Sequence, residues 1–492
     1  MAAKSSESAR YTETERKFEV VESTVAPSFE GLSAVSRVER SPSQRLDAVY
    51  FDTPNRDLAR HRITLRRRTG GPDAGWHLKL PAGPDTRTEL RVPLEDDATA
   101  RSVVPERLRD VVLAIVRDSQ LAPVARISTS RSVVMLYGPD GSTVAEFCDD
   151  QVTASAEDGD EQRWREWELE LADGDPDIFD RLTHRLLDAG ALPAGHGSKL
   201  ARVLAAGGSA TDLPAPSADP LHRAVAELVG ELLEWDRAVR LDVDDSVHQM
   251  RVTTRKIRSL MRSSEGSFGI TDDEWILKDL RELAGVLGVA RDAEVLAQRY
   301  ERALNHLPPA NVRGPVRQRL VEGAKLRYRN GWKRSLIAMR SPRYFRLLDA
   351  LEALAATKPL PSGGESTQTT ITAVYKRIRK AVNTAAAGAE SDNDEALHRI
   401  RKRAKRLRYT AAAKGATKVA DRAKTIQTLL GDHHDSVVSR SHLSRQAGLA
   451  HAAGEDTFTY GLLYQQEDDL ARRSEAQLDD ALKKLRKAVR RS

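Results

Sequence analysis

Two hydrophobic periods divide the chain. Up to about residue 205, apolar and polar residues alternate one by one in short runs, among them TETERKFEV (12–20), RITLRRR (62–68), WHLKL (76–80), TRTELRVPL (86–94), TVAEFCD (143–149) and REWELEL (165–171). Gly, Pro and Asp turns separate these runs, which predicts antiparallel strands in a closed or nearly closed sheet. The stretch AAGGSATDLPAPSADP (205–220) has no period and reads as a linker. Beyond it the period becomes 3.6 and Ala, Leu, Arg and Glu dominate, so the remainder is predicted helical. A second break, ATKPLPSGGESTQTT (356–370), splits the helical part. VHQMRVTTRKIR (247–258) then matches LHRIRKRAKRLR (397–408), and LGVARDAEV (287–295) answers LGDHHDSVV (430–438) in the same order. Two matched blocks predict two helical bundles made by duplication.

The polar face of the strands is unusual. Glu13, Glu15 and Lys17 share one side of their strand, Arg62, Arg66 and Arg68 of theirs, then His77 with Lys79, Arg87 with Glu89 and Arg91, and Glu166 with Glu168 and Glu170. The other face carries Leu65, Leu78, Leu80, Leu90, Val92, Trp167, Leu169 and Leu171. If that apolar face is outward under helices, the lumen fills with charge of both signs. Carboxylates crowded there repel unless a cation sits between them, and oxygen ligands suit Mg²⁺ or Mn²⁺. Rows of Arg and Lys suit linked phosphates, because guanidinium forks pair with phosphate oxygens. The same alternation also reads as a solvated face with cross-strand ion pairs, and periodicity does not say which face looks inward.

In the helical part, His248, Arg251, Arg255, Arg258 and Arg262 form one stripe beside an apolar stripe of Val247, Met250, Thr254, Ile257 and Met261. His398, Arg401, Lys405 and Arg408 repeat it beside Leu397, Ile400, Ala404 and Leu407. No acidic residue in 397–409 supplies the usual pairing along the helix, so an external anion is expected to offset the crowding. His433 and His434 lie between Asp432 and Asp435, but the first copy has Ala290 and Arg291 there, so a helix-start cap by Asp is the better reading than a metal site.

Charge follows the same division: residues 1–210 hold 28 Lys and Arg against 35 Asp and Glu, and residues 211–492 hold 50 against 37. The second part is therefore the expected anion binder. The pI of the whole chain, about 9.2, permits nucleic acid. With aromatics only 5% of the chain and Tyr409 alone beside the basic rows, bases have nothing to stack on, so that partner is not expected. The longest strongly apolar stretch, VVLAIV (111–116), is too short to span a membrane. No apolar segment follows the basic residues of MAAKSSESARYTETER, so no secretory signal is expected. The single cysteine, Cys148, excludes an internal disulfide framework and a multi-cysteine zinc site, and it packs as a small apolar residue in a cytoplasmic protein.

ETERK, YFDTPNRDL (50–58), TLRRR (64–68), HLKLP (77–81), TRTELR (86–91), EWELEL (166–171) and SKLARVL (198–204) together resemble the CYTH superfamily of triphosphate tunnel metalloenzymes. H-x-[MI]-R-x-x-x-[RK]-x-[LI]-R and L-G-x-x-[RH]-D, present in both helical halves, resemble the CHAD domain, often fused to CYTH. The resemblance implies an α+β multidomain fold: an N-terminal antiparallel eight-stranded β tunnel with flanking helices, and a C-terminal all-α domain of two duplicated helical bundles. Its expected divisions are residues 1–207, a linker at 208–219, and 220–492 with halves at about 220–357 and 370–492. It implies a hydrolase acting on inorganic tripolyphosphate or a related triphosphate with Mg²⁺ or Mn²⁺, while the helical domain binds polyphosphate and associates with polyphosphate granules. Metal-facing positions are Glu13, Glu15, Glu168 and Glu170, with Asp149 favoured over Glu146 on the strand at 143–149. Lys17, Arg66, Arg68, Lys79, Glu89, Arg91, Arg131 and Lys199 fall where phosphates are held, with Glu13, Glu15 and Lys17 as the catalytic group. Polyphosphate-binding positions are His248, Arg251, Arg255, Arg258, His398, Arg401, Lys405 and Arg408. The competing reading is a polyphosphate-binding protein with no turnover. Adenylate cyclase activity also occurs in the superfamily, but no feature here positions a nucleoside.

Overall fold

The computed structural model describes residues 9–491 apart from 33, 84, 95–102, 158, 173–174, 207–218, 264–274, 357–370, 387–392 and 414. Nearly all of the linker at 208–219 and of the break at 356–370 lies outside the described residues.

Alternation becomes strand as predicted. The strands are β1 (Ala9–Val20), β2 (Arg37–Arg40), β3 (Gln44–Asp52), β4 (Thr64–Thr69), β5 (Gly75–Pro81), β6 (Thr86–Pro93), β7 (Ala122–Tyr137), β8 (Thr143–Ala156), β9 (Gln162–Leu171) and β10 (Leu192–Pro193). Eight of them close antiparallel in the order β1-β6-β5-β4-β3-β7-β8-β9, with β9 returning to β1. The short β2 and β10 add to the edges of β7 and β1. Closure is possible because β1 pairs with β6 through residues 9–14 and with β9 through residues 14–20. Closing the sheet removes its exposed edges.

The apolar face is the outer one. Leu65, Leu78, Leu80 and Leu90 pack under α2 (Glu106–Val111) and α3 (Leu113–Val116), while Trp167 and Leu169 pack under Phe179, Leu182 and Leu186 of α4 (Pro176–Asp188). Burial of these side chains is the main stabilising contribution to this part of the chain. YFDTPNRDL is a structural lock. Asp52, 1% exposed, accepts hydrogen bonds from the backbone N–H groups of Thr53, Leu58 and Ala59 at 2.7, 2.9 and 3.0 Å, which fixes α1 (Asp57–Arg60) after β3. At one end of the barrel α5 (Lys199–Ala206) packs Leu200, Val203 and Leu204 against the inward Ala48, Ile127, Val152 and Ala154. That end is an apolar plug, which the alternation alone does not predict.

The later helices are α6 (Pro220–Arg240), α7 (Ser246–Ser263), α8 (Trp275–His306), α9 (Gly323–Met339), α10 (Pro342–Ala356), α11 (Ile371–Ala386), α12 (Asn393–Ala413), α13 (Thr417–Ala452) and α14 (Phe458–Val489). Two compact units emerge: residues 1–246 with 339–357, and residues 247–338 with 358–492. Two helices that the linker separates from the barrel therefore cluster with it. Leu241 and Phe345 reach the α2–α3 core, Arg117 bonds Asp349 and Glu352, and Tyr344 donates to Asp236 at 2.8 Å between α10 and α6. In the second unit one core joins α11 to α14 through Val374, Ile378, Ile400, Leu407, Ile426 and Leu485.

Candidate functional site

Register decides what faces the lumen. Glu166, Glu168 and Glu170 of β9 stand opposite Glu19, Lys17 and Glu15 of β1 on one side, and opposite Asp150, Cys148 and Glu146 of β8 on the other. Arg66 of β4 stands opposite Tyr50 and His77, Lys79 opposite Glu89, and Arg131 opposite Asp150. Lys199, the first residue of α5, reaches in from the plugged end.

The structure brings together every tunnel residue expected from the sequence except Asp149. Lys79 bonds Glu13 at 2.5 Å and Arg91 bonds Glu13 at 3.0 Å and also Glu89. Lys17 bridges Glu15 at 2.9 Å and Glu168, and Arg131 joins Asp150 at 2.6 Å to Glu168 at 2.5 Å. Arg68 pairs with Asp73 beside Arg66. Asp149 is on the outer wall, opposite Trp167, where it holds Arg165 at 2.6 Å. The β8–β9 register runs unbroken from Ala145 to Ala154, so parity alone sends Asp149 outward and Glu146 and Asp150 inward. The preference for Asp149 over Glu146 is therefore corrected. Sequence reasoning also missed Tyr50 and Asp150 as lumen members of the site, and Cys148, whose thiol donates to Glu146 at 3.0 Å.

Charge in the lumen is uneven. Burial opposes ionisation of Glu15, but the Lys17 and Lys79 ammoniums outweigh it and draw its carboxyl down to about 2. Burial, reinforced by the Glu13, Glu146 and Glu15 carboxylates, pushes Glu170 up to about 7. Burial and the neighbouring Arg66 and Arg131 guanidiniums hold Arg68 down to about 9. His77 is 1% exposed, and burial takes it down to about 4 even though it bonds Glu89 at 2.9 Å; it is neutral at physiological pH. Among the described residues, Glu146 and Glu170 have no cation within ion-pair distance and Arg66 has no carboxylate. The Arg66 Nε is buried without a hydrogen-bond partner among the described residues, and its Nη1 donates to Tyr50 Oη at 3.4 Å. The site thus has an acidic wall short of a cation and a basic wall short of an anion.

In the second unit the two basic rows converge. Burial and the charges of Arg255, Arg401, Arg251 and Arg408 hold Lys405 down to about 8, so the rows of α7 and α12 act on the same group. Their apolar flanks are buried as the stripes predict, with Met250, Ile257, Ala404 and Leu407 at 0% exposure. Each row is seated by the L-G motif: a Cβ on Gly288 would lie 3.3 Å from Arg251 Nε, and one on Gly431 would lie 3.4 Å from an Arg401 guanidinium nitrogen. His398 lies 5.0 Å ring to ring from His434, and its Nδ1 is buried with no hydrogen-bond partner among the described residues. His248 holds the equivalent place on α7. Asp432 and Asp435 do not cap a helix start. They lie within the 36-residue α13, and His433 bonds Glu475 at 2.8 Å.

The CYTH domain family matches residues 12–203, and the CHAD domain family matches residues 223–444. The chain is 63% identical over 506 residues to an uncharacterised protein of Mycobacterium tuberculosis, with 98% of each chain covered. Among solved structures it is similar to the CHAD domain from the plant Ricinus communis (23% identity, TM-score 0.41, 53% of this chain and 90% of that one). It is also similar to a putative adenylyl cyclase from Hippeastrum described as revealing a dominant triphosphatase activity (19% identity, TM-score 0.25, 39% of this chain and 96% of that one).

Proposed function

Because this chain belongs to the CYTH and CHAD domain families, we propose that it is a divalent-metal-dependent triphosphatase acting on inorganic tripolyphosphate or a related triphosphate, with a helical domain that binds polyphosphate. The observation that carries this reading is the pair of opposed surpluses in the lumen: among the described residues, Glu146 and Glu170 have no cation within ion-pair distance and Arg66 has no carboxylate. A buried charge without a partner is costly, and a metal–triphosphate complex satisfies both walls at once.

The donor set fits a hard divalent ion. Glu13, Glu15, Glu146 and Glu170 offer only oxygens, and Glu170, raised to about 7 by burial and then by the neighbouring carboxylates, marks a cluster short of positive charge. Held by these carboxylates, Mg²⁺ or Mn²⁺ would act as a Lewis acid that offsets the negative charge of the phosphates. Arg66, Arg68 and Arg131 line the opposite side, where guanidinium groups grip the phosphates and stabilise charge on the departing pyrophosphate. Glu15, ionised at physiological pH, accepts a hydrogen bond from a water and orients it in line with the terminal phosphorus. Lys17, bonded to Glu15 and Glu168, fixes both carboxylates. Water adds to the terminal phosphorus, its proton passes to a phosphate oxygen, the P–O bond to the bridging oxygen breaks, and orthophosphate and pyrophosphate leave. The same reading divides the chain into residues 1–207, a linker at 208–219 and residues 220–492. Within residues 220–492, His248, Arg251, Arg255, Arg258, His398, Arg401, Lys405 and Arg408 hold polyphosphate.

Phosphate release from tripolyphosphate by the full chain, with and without Mg²⁺ or Mn²⁺, tests the proposal. Metal-dependent release is expected. Binding of tripolyphosphate with no release under either condition would leave the non-catalytic binder instead.

A further inference from the structure

The second L-G block brings a titratable group to its basic row. Aligned from Leu287 and Leu430, Arg291 of α8 corresponds to His434 of α13, and Glu294 corresponds to Val437. In the first copy the charge is permanent and compensated, since Arg291 bonds Glu294 at 2.8 Å. In the second copy an imidazole takes the place of the guanidinium, and an apolar residue stands where the carboxylate was. The His434 ring lies 5.0 Å from the ring of His398, the first member of the α12 row. Gly431, three residues earlier, admits Arg401 to the same place.

The groups facing this pair are mainly cationic. On α12 they are Arg401 and Lys402, opposed by Glu395, which also pairs with Arg399 at 3.3 Å. On α13, His433 is bonded to Glu475 of α14 at 2.8 Å, with Asp394 at 3.9 Å, while Asp432 and Asp435 act towards Arg299. On α7, Arg251 and Arg255 act on Lys405 of the same row. The His398 Nδ1 is buried with no hydrogen-bond partner among the described residues, so no carboxylate there holds the ring as a cation. Burial, Lys402, the His434 ring and Arg401 all keep His398 below its ordinary value.

We infer that His434 belongs to the polyphosphate site, and that His398 and His434 form a proton-dependent part of it, so that the helical domain grips polyphosphate more tightly as the pH falls. An anion seated against the two rings favours their protonated forms. Between the free and the bound values the complex carries protons that the free chain lacks, and affinity rises as pH drops through that window. Arg291 gives the first copy a charge that does not change. The inference rests on the proposed polyphosphate-binding reading and names its regulation.

The affinity of the full chain for long-chain polyphosphate, measured without divalent metal at about pH 7.0 and about pH 5.5, tests it; this window lies below the Lys405 value of about 8 and above the ordinary carboxylate range. Internal phosphates of the polymer stay singly ionised throughout, and the titrating groups of the barrel are common to every protein compared. The wild type is expected to bind about fivefold or more tighter at the lower pH. His434→Arg, which installs the residue of the first copy, is expected to cut that gain to about twofold or less, and so is His398→Gln. A wild type with no gain, or either variant keeping the full gain while folded by circular dichroism, overturns the inference and leaves polyphosphate binding standing. No binding at either pH overturns that reading itself.

Discussion

Glu146 and Asp149 are three positions apart and on opposite sides of the same wall. In a strand a separation of three reverses the face, and the unbroken pairing with β9 settles which carboxyl is inside. Glu146→Gln is therefore expected to weaken Mn²⁺ binding by about tenfold or more, roughly 1.4 kcal/mol. Asp149→Asn should leave it within twofold, losing only a partly exposed ion pair with Arg165. Isothermal titration of both variants with Mn²⁺ checks this, and the reverse ranking would contradict the register. Much of the site was legible at this scale: Glu13, Glu15, Lys17, Glu168 and Glu170 follow from strict alternation once the apolar face is known to be outward. What could not be read was the partner strand. Glu146, Cys148 and Asp150 are inward only by their register against Glu170, Glu168 and Glu166, and Tyr50 only by its register against Arg66. Lys199 came from resemblance, since nothing in SKLARVL says that its helix closes the barrel.

At the scale of elements, period two and period 3.6 gave strands and helices where expected, because each strand has an apolar face to bury and each basic helix an apolar stripe. Helix ends were less legible. Asp432 reads as a cap in isolation, yet α13 runs through it without interruption, because Ile426, Leu430 and Leu443 keep the buried stripe continuous. The convergence of α7 and α12 has a pH signature. Burial and Arg255, Arg401, Arg251 and Arg408 hold Lys405 at about 8, below its ordinary 10.5. Between these values the unfolded chain keeps a proton that the folded chain has lost. Stability therefore rises with pH across that window, and below about 8 the folded chain carries the charge against its neighbours. Thermal melting from pH 7.5 to 10 is expected to show this rise in the wild type and a smaller one in Lys405→Met, and polyphosphate should diminish the difference by supplying anions. Identical profiles for the two proteins would contradict the convergence of the rows.

Over the whole molecule, charge is sorted rather than spread. The first 210 residues carry more acid than base and the remainder the reverse, and the structure resolves this into an enclosed mixed lumen and a doubled cationic row. The linker and the internal repeat were legible because Gly and Pro break every period and because the two basic rows share their spacing. The clustering of α6 and α10 with the barrel was not, since it depends on contacts such as Arg117 with Asp349, 232 positions along the chain. The central claim is that the opposed surpluses of the lumen grip a triphosphate with its metal and release phosphate from it. The most direct measurement is the rate of orthophosphate release from tripolyphosphate with Mg²⁺, for the wild type, Arg66→Ala and Glu170→Gln. Losses of about a hundredfold or more in both variants, some 2.7 kcal/mol of barrier, are predicted. Wild-type rates in both, with the fold intact by circular dichroism, would contradict the account.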